Sequence, residues 1–170
     1  SALLAYEVAE ISINSYFINY VTGQGWMEPA TASTVLTVGL GLFMLARFIG
    51  AAVMSNVPAE KYLLICAVGT VACIAVLLLD MGRNISMAAL MMNYFFEAIM
   101  FPTIFALALR GLGGLTKSAS SILMMTPVGG CGFLLMGYAA DHAGNFVLPF
   151  FIPLVGYAIV MAYAWSTVKK

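Results

Sequence analysis

The stretch ASTVLTVGLGLFMLARFIGAAVM, residues 32–54, decides the fold class, because Arg47 is its only charged residue. A helix needs about 20 mostly apolar residues to cross the roughly 30 Å hydrocarbon core of a bilayer. This stretch is long enough and apolar enough to do so. It therefore predicts a transmembrane helix.

The composition of the whole chain extends this prediction. Of its 170 residues, 63% are hydrophobic and 8% are charged, whereas soluble domains have about 45–50% apolar and about 25% charged residues. So few charges cannot cover the surface of a soluble domain. The composition excludes a soluble enzyme, a disordered tail and a nucleic-acid-binding protein, which would need a basic patch. What remains is an integral membrane protein in contact with the lipid bilayer.

Six stretches of the chain are long and apolar enough, or nearly so, to span a membrane. The breaks between them contain glycine, proline, asparagine and charged residues, which are typical of turns. The sequence therefore predicts an all-α membrane protein with six transmembrane helices, at approximately 2–22, 32–54, 62–79, 85–109, 119–140 and 146–168.

The distribution of lysine and arginine predicts the orientation, because cytoplasmic loops are enriched in both. Six basic residues lie at one side of the predicted spans and only Arg83 lies at the other. We therefore expect both termini to be cytoplasmic, in a plasma membrane or an inner membrane. The six residues are Arg47, Lys61, Arg110, Lys117, Lys169 and Lys170.

The six spans form two sets of three, at approximately 1–79 and 85–168 within a single unit of residues 1–170. Each set has a glycine-rich middle span, and an odd number of spans places the two sets in inverted orientation. Inverted three-helix repeats build each half of many transporters. Because the chain starts at Ser1 and enters an apolar stretch at once, we expect it to be part of a longer protein.

Polar residues inside the first and fourth spans predict a site. Acidic residues at the centre of a membrane helix are costly, and they almost always face the bundle interior or a wet cavity. Glu10 and Asn14 share one helical face of the first span, and Asn93 and Glu97, four residues apart, share a face of the fourth. Carboxylate and carboxamide groups suit a neutral polyol, and a buried carboxylate can carry a proton at neutral pH. The asparagines alternatively join helices, and Glu7, on the face of Glu10, alternatively lies at the membrane surface.

Prolines and glycines predict where helices bend. Pro102 lies in the fourth span and Pro127 in the fifth, and proline removes a helical hydrogen bond. Gly129 and Gly130 allow helices to approach closely. These residues are candidates for gating, although each has a packing alternative. Arg47 either extends to the inner membrane surface or contacts a neighbouring half as a gate.

Several segments together resemble the fucose permease family of the major facilitator superfamily. The most specific block begins with FPTIFALALRGLG, and its proline, glycine and lysine positions match the family in order and spacing. Supporting matches occur on both sides of it. The segments are ARFIG (46–50), AEISINSYFINY (9–20), FPTIFALALRGLG (101–113), TKSASSILMMTPVGG (116–130) and GYAADHAGN (137–145).

The resemblance implies a function. Members of this family are proton-coupled symporters of monosaccharides such as fucose, glucose and galactose, with twelve helices in two halves. By resemblance, this chain is the C-terminal six-helix half, and an N-terminal half, a sugar and a proton are its partners. Glu10, Asn14, Asn93 and Glu97 would bind sugar hydroxyls, and Phe101, a tyrosine in the fucose permeases, would form an aromatic wall.

Two other classes of function remain open at this stage. One is a transporter of a different solute, although an organic-anion carrier would need a basic residue at the centre of a span. The other is a non-transporting membrane protein with an assembly or regulatory role. The chain has a single histidine, His142, and no phosphate-binding loop or metal-ligand spacing. We therefore expect no enzymatic activity, no cofactor and no metal site.

Overall fold

A computed structural model describes residues 2–54, 56–111, 113–125 and 131–169. All regular structure in these ranges is helical. Seven α-helices are present in them, together with short 3-10 turns at Gly113–Leu115 and Leu148–Phe150. The helices are α1 (Ala2–Gly23), α2 (Pro29–Met54), α3 (Ala59–Leu78), α4 (Arg83–Leu109), α5 (Thr116–Leu123), α6 (Gly132–Ala143) and α7 (Phe151–Val168).

The helix boundaries follow the turn residues of the sequence. Pro29 is the first residue of α2 and Pro58 directly precedes α3. α6 ends where Gly144 adopts a left-handed conformation (φ 59°), and the Gly144 N–H donates to the carbonyl of Ala140. Glycine tolerates this conformation without steric cost. Asp141 and His142, expected in a loop, therefore lie in the last turn of α6.

Four of the described helical segments are long and apolar enough to cross a membrane: Pro29–Met54, Ala59–Leu78, Arg83–Leu109 and Leu148–Val168. α1 has comparable length, but Glu7, Glu10 and its asparagines lower its hydropathy. The predicted fifth span corresponds to α5 and α6, and the segment 126–130 between them lies outside the described residues. The all-helical architecture is therefore confirmed, whereas the count of six spans and the inverted repeats stay predictions.

Helix packing places α1 and α4 where a site can form. α1 contacts α2, α4, α6 and α7, while α4 packs mainly on α2 and α3. Buried residues of α1, α4 and α7 join one hydrophobic core that includes Tyr6, Ile13, Tyr94, Ile99 and Tyr157. The two helices that contain the predicted polar residues are thus neighbours inside the bundle.

The outer surface of the bundle is apolar. On α2, the side chains of Met44, Leu45 and Phe48 are 60–66% exposed, which in water would mark a large hydrophobic patch. In a bilayer such residues face lipid at no cost. At one end of the bundle, Arg110 after the last residue of α4 forms an ion pair with Glu60 at the start of α3.

Candidate functional site

Glu97 lies at the centre of the polar cluster. Its side chain is fully buried on α4, and one of its oxygens, Oε1, accepts a hydrogen bond from the Tyr157 hydroxyl of α7. The backbone carbonyl of Glu97 accepts a hydrogen bond of 2.8 Å from the Tyr6 hydroxyl of α1. One residue therefore connects three helices through two tyrosines.

Several polar atoms at and around Glu97 make no hydrogen bond of normal geometry within the described part of the chain. Asn93, one turn before Glu97, is fully buried; its side chain interacts with the Glu97 carboxylate, but neither its amide nitrogen nor its amide oxygen makes a hydrogen bond of normal geometry there. The same holds for Glu97 Oε2 and the Tyr94 hydroxyl. Buried polar groups nearly always have partners because desolvation without one is costly. These atoms therefore leave hydrogen-bond donors and acceptors unsatisfied in the middle of the predicted site.

Glu10 and Asn14 lie on α1, beside this cluster. Both are half-buried, and Asn14 Oδ1 is buried and lacks a partner in the described ranges. The carboxylate of Glu10 lies near the Tyr6 hydroxyl and within electrostatic range of Glu97, Glu7 and Arg47. The structure thus brings Glu10 and Glu97 to the same tyrosine, although their role as sugar ligands stays a prediction.

Glu7, which the sequence left open between the membrane surface and the cavity, is buried in the bundle. Its carboxylate interacts electrostatically with Arg47 of α2. The acidic residues of α1 therefore all lie in the field of one basic side chain. This partial compensation reduces the cost of placing negative charge inside an apolar bundle.

Phe101 and Arg47 adjoin the polar cluster. The Phe101 ring lies 6.2 Å from the Tyr6 ring and stacks on Phe105 at 6.1 Å. The Arg47 guanidinium lies 5.3 Å from the Phe101 ring and 4.8 Å from the Phe43 ring, measured to the centroids. Such distances allow cation–π attraction. Among the other predicted gating residues, Pro102 is half-buried within α4, while Pro127, Gly129 and Gly130 lie outside the described residues.

A cleft with both polar and apolar lining opens between α1 and α6, on a different face of α1. It has a volume of about 370 Å³. Ser15 and Asn19 of α1 line it together with Tyr138 and Asp141 of α6. A second, apolar groove of about 610 Å³ runs between α1 and α7. Neither cleft is lined by the predicted sugar-binding residues.

Tyr6 and Tyr157 are the site residues that sequence reasoning missed. Tyrosine in a membrane helix is often an interfacial anchor, so neither residue attracts notice in the sequence. The one available signal was the spacing of four between Tyr6 and Glu10, which places both on one side of α1. The described residues contain no group of three His, Cys, Asp or Glu side chains that could hold a metal ion.

Comparisons with known proteins identify the relatives of the chain. No protein-family model matches it. It is 34% identical over 165 residues to the glucose/galactose transporter of Brucella abortus, covering 95% of this chain and 39% of that protein. It is 31% identical to the putative glucose/galactose transporter of Helicobacter pylori strain J99, over 97% of this chain and 42% of the relative. It is also 31% identical to the L-fucose-proton symporter of Escherichia coli, over 96% of this chain and 37% of that protein.

The fold has a solved counterpart. The outward conformation of FucP, a major facilitator superfamily transporter, matches with a TM-score of 0.89 and 30% identity, covering 96% of this chain and 40% of that one. The resemblance to the fucose permease family of the major facilitator superfamily is therefore confirmed, and the chain is a multi-pass integral membrane protein. It spans about two fifths of the length of the relatives it matches.

Proposed function

We propose that the chain is the C-terminal six-helix half of a monosaccharide:proton symporter. Its similarity to glucose/galactose transporters and to an L-fucose-proton symporter supports a sugar substrate and a proton as the coupling ion. The coverage of about two fifths of those proteins is consistent with one half of a twelve-helix transporter. The six spans are proposed to form two inverted repeats at approximately 1–79 and 85–168.

The observation that carries this proposal is the polar cluster between α1 and α4. It places carboxylates, and a carboxamide without a well-formed hydrogen bond, inside an otherwise apolar bundle, which is costly unless they serve a ligand or a proton. We infer that Glu10, Asn14, Asn93 and Glu97 bind sugar hydroxyls. Phe101 would pack against the apolar face of the sugar ring.

The proposed mechanism is alternating access. The sugar site would lie near the membrane midplane between this half and an N-terminal half, and the two halves would rock against each other around it. Arg47 and Pro102, together with Pro127, Gly129 and Gly130, would shape the gating movement. Both termini would be cytoplasmic, in a plasma or inner membrane.

Proton coupling would use a carboxylate in this cluster or in the other half. An acidic group in a poorly solvated site favours its neutral form, so it can take up a proton when the cavity opens and release it on the other side. Glu10 is the better candidate of the two carboxylates here, because it is half-buried while Glu97 is fully enclosed.

Uptake of labelled sugar by the full-length transporter in proteoliposomes tests this function. The panel is L-fucose, galactose, glucose and mannose, with and without an imposed proton gradient. We expect gradient-dependent uptake of at least one sugar, and a large loss of it in Glu10→Gln and Glu97→Gln. Glu28→Gln is the matched control, because Glu28 is exposed outside the helices.

The variants also need a folding control. Glutamine keeps the shape of glutamate, and at position 97 its oxygen can still accept from Tyr157, so both proteins should retain the melting temperature of the parent within a few degrees. Uptake of none of the four sugars, by a protein that is folded and reconstituted, would contradict the sugar proposal. It would favour a transporter of another solute or a non-transporting assembly partner.

A further inference from the structure

Pro102 interrupts the hydrogen bonding of α4 next to the proposed site. Proline lacks the N–H that would donate to the carbonyl four residues earlier, and its ring crowds that carbonyl. In α4 this is the carbonyl of Ala98. A carbonyl without its helical partner, at membrane depth, requires a donor from elsewhere.

Arg47 of α2 supplies this donor. Its Nε donates to the carbonyl oxygen of Ala98 at 3.4 Å. The same guanidinium lies over the rings of Phe43 and Phe101, at 4.8 and 5.3 Å from their centroids. Arg47 therefore contacts the backbone freed by Pro102 and, at the same time, the residue that precedes Pro102.

The carbonyls on either side of Ala98 also accept side-chain hydrogen bonds. The Tyr6 hydroxyl of α1 donates to Glu97 at 2.8 Å, and the Thr103 hydroxyl of α4 donates to Ile99 at 2.7 Å. Three consecutive carbonyls in the turn before Pro102 are thus bonded by residues of α1, α2 and α4. This concentration of donors coincides with the missing N–H.

We propose that Arg47 and Tyr6 are positioning residues that fix α4 at the Pro102 interruption and thereby set the place of Phe101 and Glu97. Arg47 acts here through the Ala98 carbonyl and the Phe101 ring, which differs from the gate contact with another half predicted from the sequence. The effect on sugar binding rests on the proposed function. The backbone linkage itself does not.

A double-mutant cycle tests the linkage. Arg47→Met keeps the apolar stem but removes the donor and the charge, and Pro102→Ala restores the N–H for Ala98. In the full-length transporter we expect Arg47→Met to lower the melting temperature and to raise the sugar KM about tenfold, the scale of losing a hydrogen bond from a charged donor. In the Pro102→Ala background the same change should have less than half of each effect.

Two further variants serve as a conservative replacement and as a control. Arg47→Lys retains a cationic donor and should restore KM and melting temperature most of the way to the parent. Arg83→Met, at an exposed arginine at the start of the same helix α4, should change neither. If Pro102→Ala does not fold, Arg47→Lys is compared with Arg47→Met instead. Equal changes of KM and of melting temperature in these two variants would overturn the proposal.

The melting cycle separates this inference from the proposed function, because it needs no sugar. Equal effects of Arg47→Met with and without Pro102→Ala would overturn the linkage even if sugar uptake is found. Coupled melting temperatures would support it even if no sugar in the panel is transported. In that second case the proposed function fails and the structural assignment of Arg47 stands.

Discussion

Burying the Glu97 side chain inside the bundle carries a desolvation cost, which its hydrogen-bond partners must offset. Glu97 has no basic residue among its hydrogen-bond partners in the described ranges: Oε1 accepts from the Tyr157 hydroxyl, while Oε2 makes no hydrogen bond of normal geometry, although the Asn93 side chain interacts with the carboxylate. Removing a buried group's partner costs more than the bond itself contributes, because the remaining polar atom stays desolvated. The tyrosine hydroxyl should therefore matter to stability as well as to function.

Tyr157→Phe tests the contribution of this hydroxyl. The substitution keeps the ring in the core and leaves Glu97 Oε1 without its donor, so we expect a loss of about 1 kcal/mol in the free energy of unfolding. The measurement is the melting temperature of the purified full-length transporter in detergent. Tyr138→Phe is the control, because Tyr138 is 64% exposed. Equal shifts in the two variants would show that the contact with Glu97 contributes nothing.

At the scale of helices, α1 and α7 approach each other closely enough that one position excludes even a methyl group. A Cβ atom built on Gly156 of α7 would lie 2.8 Å from the carbonyl oxygen of Ala5 and 3.0 Å from the Cβ of Ala9 on α1. The first contact is with backbone, which cannot rotate away. Small residues permit such close packing of membrane helices.

Gly156→Ala should therefore push α7 away from α1. Overpacking of this kind costs about 1–3 kcal/mol, and we expect a clear fall in melting temperature. Gly41→Ala is the matched control, because its Cβ would meet no other heavy atom within 4 Å beyond the adjacent turns of α2. Alanine is also the better helix former by about 1 kcal/mol, so this control should be neutral or slightly stabilising. A Gly156→Ala protein as stable as the control would refute the close approach.

The positions of most helices could be predicted from the sequence, whereas their mutual contacts could not. Apolar runs separated by proline and glycine predict α2, α3, α4 and α7 within a few residues, because membrane depth sets their length. The donation from Arg47 to Ala98, and the contacts of Tyr6 and Tyr157 with Glu97, depend on how separate helices pack. No local pattern contains that information.

At the scale of the whole molecule, the ends of the bundle differ in charge. Glu60 and Arg110 form an ion pair between the start of α3 and the end of α4, and Lys61 and Lys117 lie close to it in sequence. The other end contains Arg83 as the only basic residue. An exposed ion pair contributes little to stability, whereas such a charge asymmetry predicts the direction of insertion.

The proposed orientation can be tested by accessibility to a membrane-impermeant maleimide in intact cells. Because basic loops stay on the cytoplasmic side, Lys117→Cys should be labelled only after permeabilisation, and Arg83→Cys should be labelled at once. Both residues are exposed, and the variants are made in a Cys131→Ser background because Cys131 is also exposed. Labelling of Lys117→Cys in intact cells, with protection of Arg83→Cys, would place both termini outside. The alternative in which Arg47 extends to the inner membrane surface would then fall with the orientation, while the proposed sugar site between α1 and α4 would be unaffected.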